Sequence, residues 1–419
     1  MPSPVTPPRG MRDFLPSDKR RRDLVLDTIR STYRSFGFDE IETPVVEDSE
    51  RLHAGLGGDN EKLAFAVLRR ALSTDDLRTA ATPLDLADLG LRFDLTVPLA
   101  RFYATHRAEL PPVFRAVQIA PVWRAEKPQK GRYRQFVQCD IDIIGEPSAM
   151  AEIELLSATS AVLARLGLIG TTIRINDRRI LLALLAHWNV PLDRFDTALV
   201  IIDKLDKIGV GGVVTELAGI DVPTAGLEAQ LEELAASTWE SLSGGAEWLD
   251  EAAFADLLAL RAALPDAALE FDPTLVRGMG YYTGTIFEVA HPDFGYSLGG
   301  GGRYDGMIGR FLGADVPAAG FSLGFERLVD LVELPGDTGG EGVVLLYDAS
   351  LDPAALVRLQ HEVAALHAAE GVEPRVRLDR KARNLKNQLS GLAALGYGRF
   401  AVVQSADQTA ETLEFRGLA

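Results

Sequence analysis

Apolar residues recur along this chain with helical spacing in some stretches and strict alternation in others. Residues 17–36 (SDKRRRDLVLDTIRSTYRSF) carry Leu24, Leu26, Ile29, Tyr33 and Phe36 at near-helical intervals, with Ser17 placed as N-cap and Gly37 as the stop. FDEIETPVVED then alternates as a strand does, and Pro44 suits an edge or interface position. LRFDLT (Leu91–Thr96) also alternates and leads to a helix from Pro98. VFRAVQIAPVWRAE and RQFVQCDIDIIG are two longer alternating runs, which predict an antiparallel hairpin with a long connecting loop. A helix is expected from about Ala149 to Gly167.

From 168 to about 265 the character changes to Leu, Ala, Asp and Glu with short helical periods; TTIRIN reads as a strand running into the helix DRRILLALLAHW, and the stretch as an inserted, mostly helical module. Alternation returns in LPDAALEFDPTLVRGMGYYTGTIFEVA, and AAGFSLGFERLVDLV reads as a strand turning into a helix. PGDTGGEG (335–342) is the clearest linker. Beyond it, VVLLYD, a helix from Pro353 to Glu370, PRVRL, the helix NLKNQLSGLAALG and FAVVQ predict a small α/β domain with parallel pairing. The expected division is therefore 1–167, 168–265, 266–334, the linker 335–342, and 343–419.

Composition is that of a soluble globular protein, 47% hydrophobic and 25% charged over 419 residues. No apolar run is long enough for a membrane span, and MPSPVTPPRGMRDF has no apolar signal core, so a cytoplasmic location is expected. Cys139 is the only cysteine, which excludes an internal disulfide and a cysteine-cluster metal site. The net charge of −17 argues against general coating of nucleic acid but leaves room for local contacts. Two basic islands stand out. Arg124, Lys127, Lys130, Arg132 and Arg134 face only Glu126 in the hairpin loop, and Arg375–Lys386 holds six basic residues against Asp379. Each island reads either as a solvated surface or as a grip on a polyanion.

The candidate chemistry lies in four groups. Arg124, Gln138, Asp140 and Asp142 can share one face of the hairpin, a set costly to bury without a ligand or mutual pairing. A structural ion-pair network is the alternative. LVRGMGYYTGTIFEV places Arg277 before a glycine-rich turn and adds the polar tips of Tyr281, Tyr282 and Glu288. GGGGRYDG (Gly299–Gly306) suggests backbone lying against a flat or charged ligand, and it is neither a dinucleotide fingerprint nor a Walker loop. In GFSLGFERLV, Arg327 stands on the first turn of a helix and could lie along a phosphate. Arg124, Arg277 and Arg327 with nearby acids suggest a site for a triphosphate together with a small ammonium-bearing ligand.

The chain resembles the histidyl-tRNA synthetases, a class II aminoacyl-tRNA synthetase family, over essentially its whole length. PPRGMRDFLP resembles the family's N-terminal signature, GFDEIETPVVE motif 1, WRAEKPQKGRYRQF motif 2 and GFSLGFERLV motif 3, while LVRGMGYYTGTIFEV and LGGGGRYDG resemble the two histidine-specific stretches. The resemblance implies an α+β class II catalytic core, an antiparallel sheet flanked by helices, with a helical insertion and a C-terminal α/β anticodon-binding domain. It implies a homodimer that uses ATP, with Mg2+ accompanying its phosphates, to join L-histidine to tRNA(His), and no metal held by protein side chains alone.

Residue by residue, the resemblance implies that Arg124 and Arg277 are catalytic, flanking the α-phosphate. Arg124, Glu126 and Arg327 would bind ATP. Asp94, Thr96, Arg124, Gln138, Asp142, Arg277, Tyr281 and Tyr282 would bind histidine, with Asp94, Thr96 and Gln138 on its amino group and Asp142 and Tyr282 on its imidazole. Lys127, Gln129, Lys130 and Arg132 would approach the acceptor end of the tRNA, and Arg380, Lys381 and Lys386 would contact it from the anticodon-binding domain. Gly280 replaces an acid common in the family, and Asp94 and Asp142 stand where many members carry Glu. The rival reading is a non-catalytic, histidine-binding regulatory subunit of an ATP phosphoribosyltransferase, which shares the fold but typically loses the arginine-centred stretch and the C-terminal domain.

Overall fold

The computed structural model describes residues 5–53, 63–128, 131–277, 281–333, 342–369 and 375–418. The chain divides into two compact units, one of residues 1–12 and 27–332, the other of residues 13–26 and 333–419. None of the described helices is long and apolar enough to cross a membrane.

The strands of the larger unit are β1 (Asp39–Glu40), β2 (Val46–Asp48), β3 (Phe65–Leu68), β4 (Ala87–Leu91), β5 (Phe114–Trp123), β6 (Gln135–Ile144), β7 (Thr172–Asp177), β8 (Leu269–Phe271), β9 (Thr285–His291), β10 (Phe294–Arg303) and β11 (Ala318–Gly324). Eight of them form one sheet in the order β1-β5-β6-β11-β10-β9-β7-β8, and β2-β4-β3 form a second, small sheet. The large sheet is antiparallel from β5 through β7, with parallel pairs only at its two ends, β1 with β5 and β7 with β8. β5 and β6 pair from Phe114↔Ile144 to Trp123↔Gln135, the hairpin that the two alternating runs predict.

Three expectations are corrected. The first helix runs Pro16–Ser35, so Ser17 lies inside it and Pro16 opens it, a position where proline loses no hydrogen bond. Its buried apolar residues are Val25, Ile29 and Tyr33, spaced by four, whereas Leu24 and Phe36 are exposed. LRFDLT is not a strand: β4 stops at Leu91, and a helix starts at Thr96 rather than Pro98, with Asp94 accepting from the Val97 amide at 3.3 Å. The stretch after 168 opens, as TTIRIN predicts, with the strand β7, which pairs with β9 inside the large sheet. Its helices follow at Arg178–His187, Phe195–Ile202, Leu205–Ala218, Leu227–Ala235 and Glu251–Ala263.

In the second unit, β12 (Gly342–Tyr347), β13 (Val376–Arg380), β14 (Tyr397–Val403) and β15 (Arg416–Gly417) form a sheet ordered β13-β12-β14-β15. β12 is parallel to both β13 and β14, with the helices Pro353–Ala369 and Leu385–Ala394 as the connections. Val343 and Leu345 pack towards the first helix with Leu359 and Val363, and Val344 and Leu346 pack with Leu392 and Phe400 on the other side. That two-sided burial explains the unbroken apolar run in β12.

Candidate active site

Period-two alternation along β6 puts Gln138, Asp140 and Asp142 on one face of the large sheet. The register extends that face across four further strands. Asp140 lies opposite Ser322, which lies opposite Gly300, then Glu288, then Arg174. In the next row Asp142 lies opposite Gly320, Gly302, Ile286 and Asn176. A helix-capping corner supplies Asp94, and the loop before β9 supplies Tyr281 and Tyr282.

The acids here are under strong desolvation. Burial pushes the Asp94 carboxyl up to about 6, against the opposing pull of the Val97 amide and the Arg124 guanidinium. Burial pushes Asp142 up to about 7, with the Tyr304 hydroxyl pulling the other way and Asp94 adding repulsion. Asp140 is raised well above the carboxylate range by burial and then by Asp142. Tyr304 donates to Asp142 Oδ1 at 2.5 Å, and Gln138 Nε2 donates to Ser322 Oγ at 3.0 Å. Gln138 Oε1 and Asp140 Oδ1 are buried with no hydrogen-bond partner among the described residues. Acceptors left unmet beside desolvated carboxyls create a demand for a cationic donor.

The cations flank this pocket. Arg124 Nε donates to the Phe93 carbonyl at 3.0 Å, and its guanidinium lies 5.0 Å from the Phe136 ring. Arg277 pairs with Glu288 and donates to Ser297 Oγ at 3.0 Å, while Arg327 donates to the Ser297 carbonyl. Arg277 and Arg327 therefore converge on one residue, and the Arg327 pKa is lowered by burial first and then by Arg132 and Arg277. Such a cluster suits a polyanion that several guanidiniums can share.

The glycine run has a different use from the one its composition suggests. Gly299–Gly302 belong to β10, hydrogen-bonded between β9 and β11. A Cβ on Gly300 would lie 2.6 Å from the Arg277 Cζ, so that glycine makes room for the guanidinium. A Cβ on Gly320 would lie 1.9 Å from Asp142 Oδ1, so β11 likewise yields space to the carboxylate.

The structure thus gathers Asp94, Arg124, Gln138, Asp142, Tyr281 and Tyr282 into one cluster, with Arg277 and Arg327 beside it. Thr96 opens the helix whose Val97 amide donates to Asp94. Tyr281 and Tyr282 lie with ring centroids 4.3 Å apart, and burial raises the pKa of both. Asp142 takes its hydrogen bond from Tyr304, which carries no signal of its own inside GGGGRYDG. Ser297 and Ser322 likewise are small polar residues with no local signal in the sequence. Glu126 pairs with Arg132 at 3.3 Å and accepts from Arg134 Nε through its carbonyl at 2.9 Å. Lys127 is exposed; Gln129, Lys130 and Gly280 lie outside the described residues. In the second unit Arg380, Lys381 and Lys386 are all exposed, and Arg380 borders a cavity of about 370 Å3 lined also by Tyr347, Leu356 and Leu378. That cavity lies at the carboxyl ends of the parallel strands β12 and β13, where open α/β sheets hold ligands.

Known proteins resemble this chain along its whole length. A family model described as Histidyl-tRNA synthetase matches residues 10–328. The chain is 58% identical to the Histidine--tRNA ligase of Leifsonia xyli subsp. xyli, covering 100% of this chain and 99% of the relative. It is 42% identical to the Probable histidine--tRNA ligase of Tropheryma whipplei, over 94% of this chain and 95% of that one. Among solved structures, the histidyl-tRNA synthetase of Nostoc sp. PCC 7120 superposes with a TM-score of 0.76 at 25% identity, covering 99% of this chain and 97% of the other. A Bacillus halodurans protein described as an ATP phosphoribosyltransferase regulatory subunit/histidyl-tRNA synthetase has the same fold, with a TM-score of 0.75 at 23% identity over 97% of this chain and 100% of that one.

Proposed function

The chain belongs to the histidyl-tRNA synthetase family, and from that premise we propose that it activates L-histidine with ATP and transfers it to the 3′ end of tRNA(His). The observation that carries the reading is the pair of unmet buried acceptors, Gln138 Oε1 and Asp140 Oδ1, beside desolvated Asp94 and Asp142. A free amino acid brings the ammonium such a pocket lacks. Its imidazole N–H would meet Asp142, whose other contact is held by Tyr304. A side chain without that N–H would leave the carboxylate unpaired, a penalty that can discriminate by about 10⁴.

In the first step a histidine carboxylate oxygen attacks the α-phosphorus of ATP. The bond from that phosphorus to the oxygen bridging the β-phosphate breaks, giving histidyl-adenylate and pyrophosphate. No side chain needs to take a proton, so the work is electrostatic. Arg124 and Arg277 would flank the α-phosphate, and Arg327 would follow the γ-phosphate; Glu126 would hold the adenine. In the second step a terminal ribose hydroxyl of the tRNA attacks the adenylate carbonyl, its C–O bond to the phosphate breaks, and AMP leaves while the hydroxyl proton passes to a phosphate oxygen or water.

Magnesium carried on the ATP phosphates would spread their charge. A resident ion suits the site poorly, because Glu288, the acid beside Arg277, already engages Arg277 and Arg174. Lys127, Gln129, Lys130 and Arg132 would meet the acceptor end, and Arg380, Lys381 and Lys386 the anticodon region. Domain bounds of 1–167, 168–265, 266–334 and 343–419 remain our division of these tasks. The small sheet leaves Val46, Leu68 and Leu89 exposed, a face suited to a second copy in a homodimer. The cytoplasm, where ATP and tRNA meet, is the expected location. The regulatory-subunit reading is disfavoured by the presence of Arg124, Arg277, Arg327 and the C-terminal unit. Histidine-dependent charging of a tRNA(His) transcript tests the proposal: product that forms only with ATP and histidine supports it, and histidine binding without charging overturns it.

A further inference from the structure

Arg277 does not stand alone on the sheet. It is the last member of a file of alternating charge that runs across β8, β7 and β9. Asp272, just past β8, has Oδ1 fixed by the Thr274 amide at 2.9 Å and by Thr274 Oγ1 at 2.7 Å. Its Oδ2 accepts from Arg174 Nε at 2.6 Å. Arg174 Nη1 in turn donates to Glu288 Oε1 at 3.2 Å, and Glu288 Oε2 pairs with Arg277. Arg174 and Glu288 are direct cross-strand partners on β7 and β9, and Glu288 is the partner of Gly300, over which the Arg277 guanidinium lies.

The order of charges matters. A lone carboxylate beside Arg277 could swing to follow it or release it to solvent. Glu288 cannot do so freely, because its other oxygen is tied to a guanidinium whose own far side is tied to a buried, doubly held aspartate. Asp206, on the helix Leu205–Ala218, also approaches Arg174, but at 3.5 Å and 77% exposed it is screened and adds little. Asp272, with 11% of its side chain exposed, is the anchor.

We infer that Arg174 is a positioning residue for histidine activation: braced by Asp272, it holds Glu288 in the orientation that sets the Arg277 guanidinium over Gly300. When a phosphate draws Arg277 forward, Arg174 remains as the counter-cation that keeps Glu288 charged and in place. The inference rests on the activation role proposed for Arg277. Nothing in it requires Arg174 to touch histidine or ATP.

The test is pre-steady-state adenylate formation with purified protein, recording burst amplitude and burst rate for the parent, Arg174→Lys, Glu288→Gln and the double variant. Lysine keeps the charge but cannot bridge Asp272 and Glu288 as a planar fork does. The expected result for Arg174→Lys is an unchanged burst amplitude with a rate lower by about 10-fold or more, as small misplacements of a reacting partner cost. The KM for histidine should stay within about 3-fold, because Asp94, Gln138 and Asp142, which would hold its amino group and imidazole, are untouched. In the Glu288→Gln background, adding Arg174→Lys should change the rate less than about 2-fold, because the arginine acts through the glutamate. A reduced amplitude at unchanged rate would mark a merely structural arginine, and fully additive effects in the double variant would show that Arg174 does not act through Glu288; either overturns the inference. Failure of the parent protein to form adenylate at all would instead strike the proposed function.

Discussion

The Tyr304 hydroxyl donates to Asp142 Oδ1 at 2.5 Å, joining the end of the glycine-rich strand β10 to the hairpin strand β6 at the floor of the pocket. The tyrosine occupies one carboxylate oxygen and aims the group, so the remaining acceptor capacity is presented to the ligand. Removing the hydroxyl by Tyr304→Phe should raise the KM for histidine about 10-fold, the scale of a hydrogen bond to a charged group. The KM for ATP should change less than about 3-fold, because the nucleotide is read by other residues. Steady-state pyrophosphate exchange with each substrate varied in turn separates the two.

The raised carboxyls predict a pH dependence with a definite sign. Asp94 at about 6 and Asp142 at about 7 are protonated below those values and then accept hydrogen bonds poorly. The KM for histidine should therefore fall as pH rises from 6 to 8 and level off above it. Stability should run the other way. Between about pH 4 and 7 the folded chain holds protons that the unfolded chain has released, so these groups lower stability as pH rises. Asp142→Asn removes that cost and keeps an acceptor for Tyr304. Its unliganded form should melt higher than the parent at pH 7.5 while histidine-dependent exchange drops by about 100-fold or more. A lower melting temperature for the asparagine variant contradicts this account of the pocket.

Space is as specific as charge at Gly320. A methyl group there would lie 1.9 Å from Asp142 Oδ1 and 3.1 Å from Tyr304 Cε1, both side-chain atoms of the pocket. Gly320→Ala should keep its β-sheet circular dichroism and lose histidine binding by calorimetry. Retained binding at the parental affinity would show that Asp142 is not where the ligand is read.

Arg277→Ala should abolish adenylate formation, by at least about 10³-fold, while its melting temperature stays within a few degrees of the parent. Near-normal exchange by a folded Arg277→Ala protein would remove that residue from the chemistry.

The basic island of the second unit should affect tRNA and not activation. Replacing Arg380, Lys381 and Lys386 by Glu should raise the KM for tRNA(His) about 10-fold or more and flatten its dependence on salt. Pyrophosphate exchange should remain within about 2-fold. Equal damage to both reactions would refute the separation of tasks between the two units.

Much of the fold is legible in local pattern. The hairpin from Phe114 to Ile144 alternates with period two along both arms, and β12 and β14 of the C-terminal sheet announce themselves through apolar runs between helices. The pocket is less so. Gln138, Asp140 and Asp142 are recognisable as one face, but their row continues through Ser322, Glu288 and Arg174, which lie far off in the chain and meet only through strand register. LRFDLT alternates like a strand because Phe93 and Leu95 are buried at a corner, where Asp94 accepts from the Val97 amide of the next helix instead of extending β4. GGGGRYDG looks like a ligand-contacting loop, since no local signal tells that its glycines make way for Arg277 and for neighbouring strands. Tyr304 is hidden by that same run.

The central claim, that this pocket selects and activates histidine, is tested most directly by ATP–pyrophosphate exchange with each of the twenty amino acids added singly to the purified protein. Exchange driven by histidine alone is the predicted result. Exchange driven by a different amino acid, or histidine binding without any exchange, would contradict it.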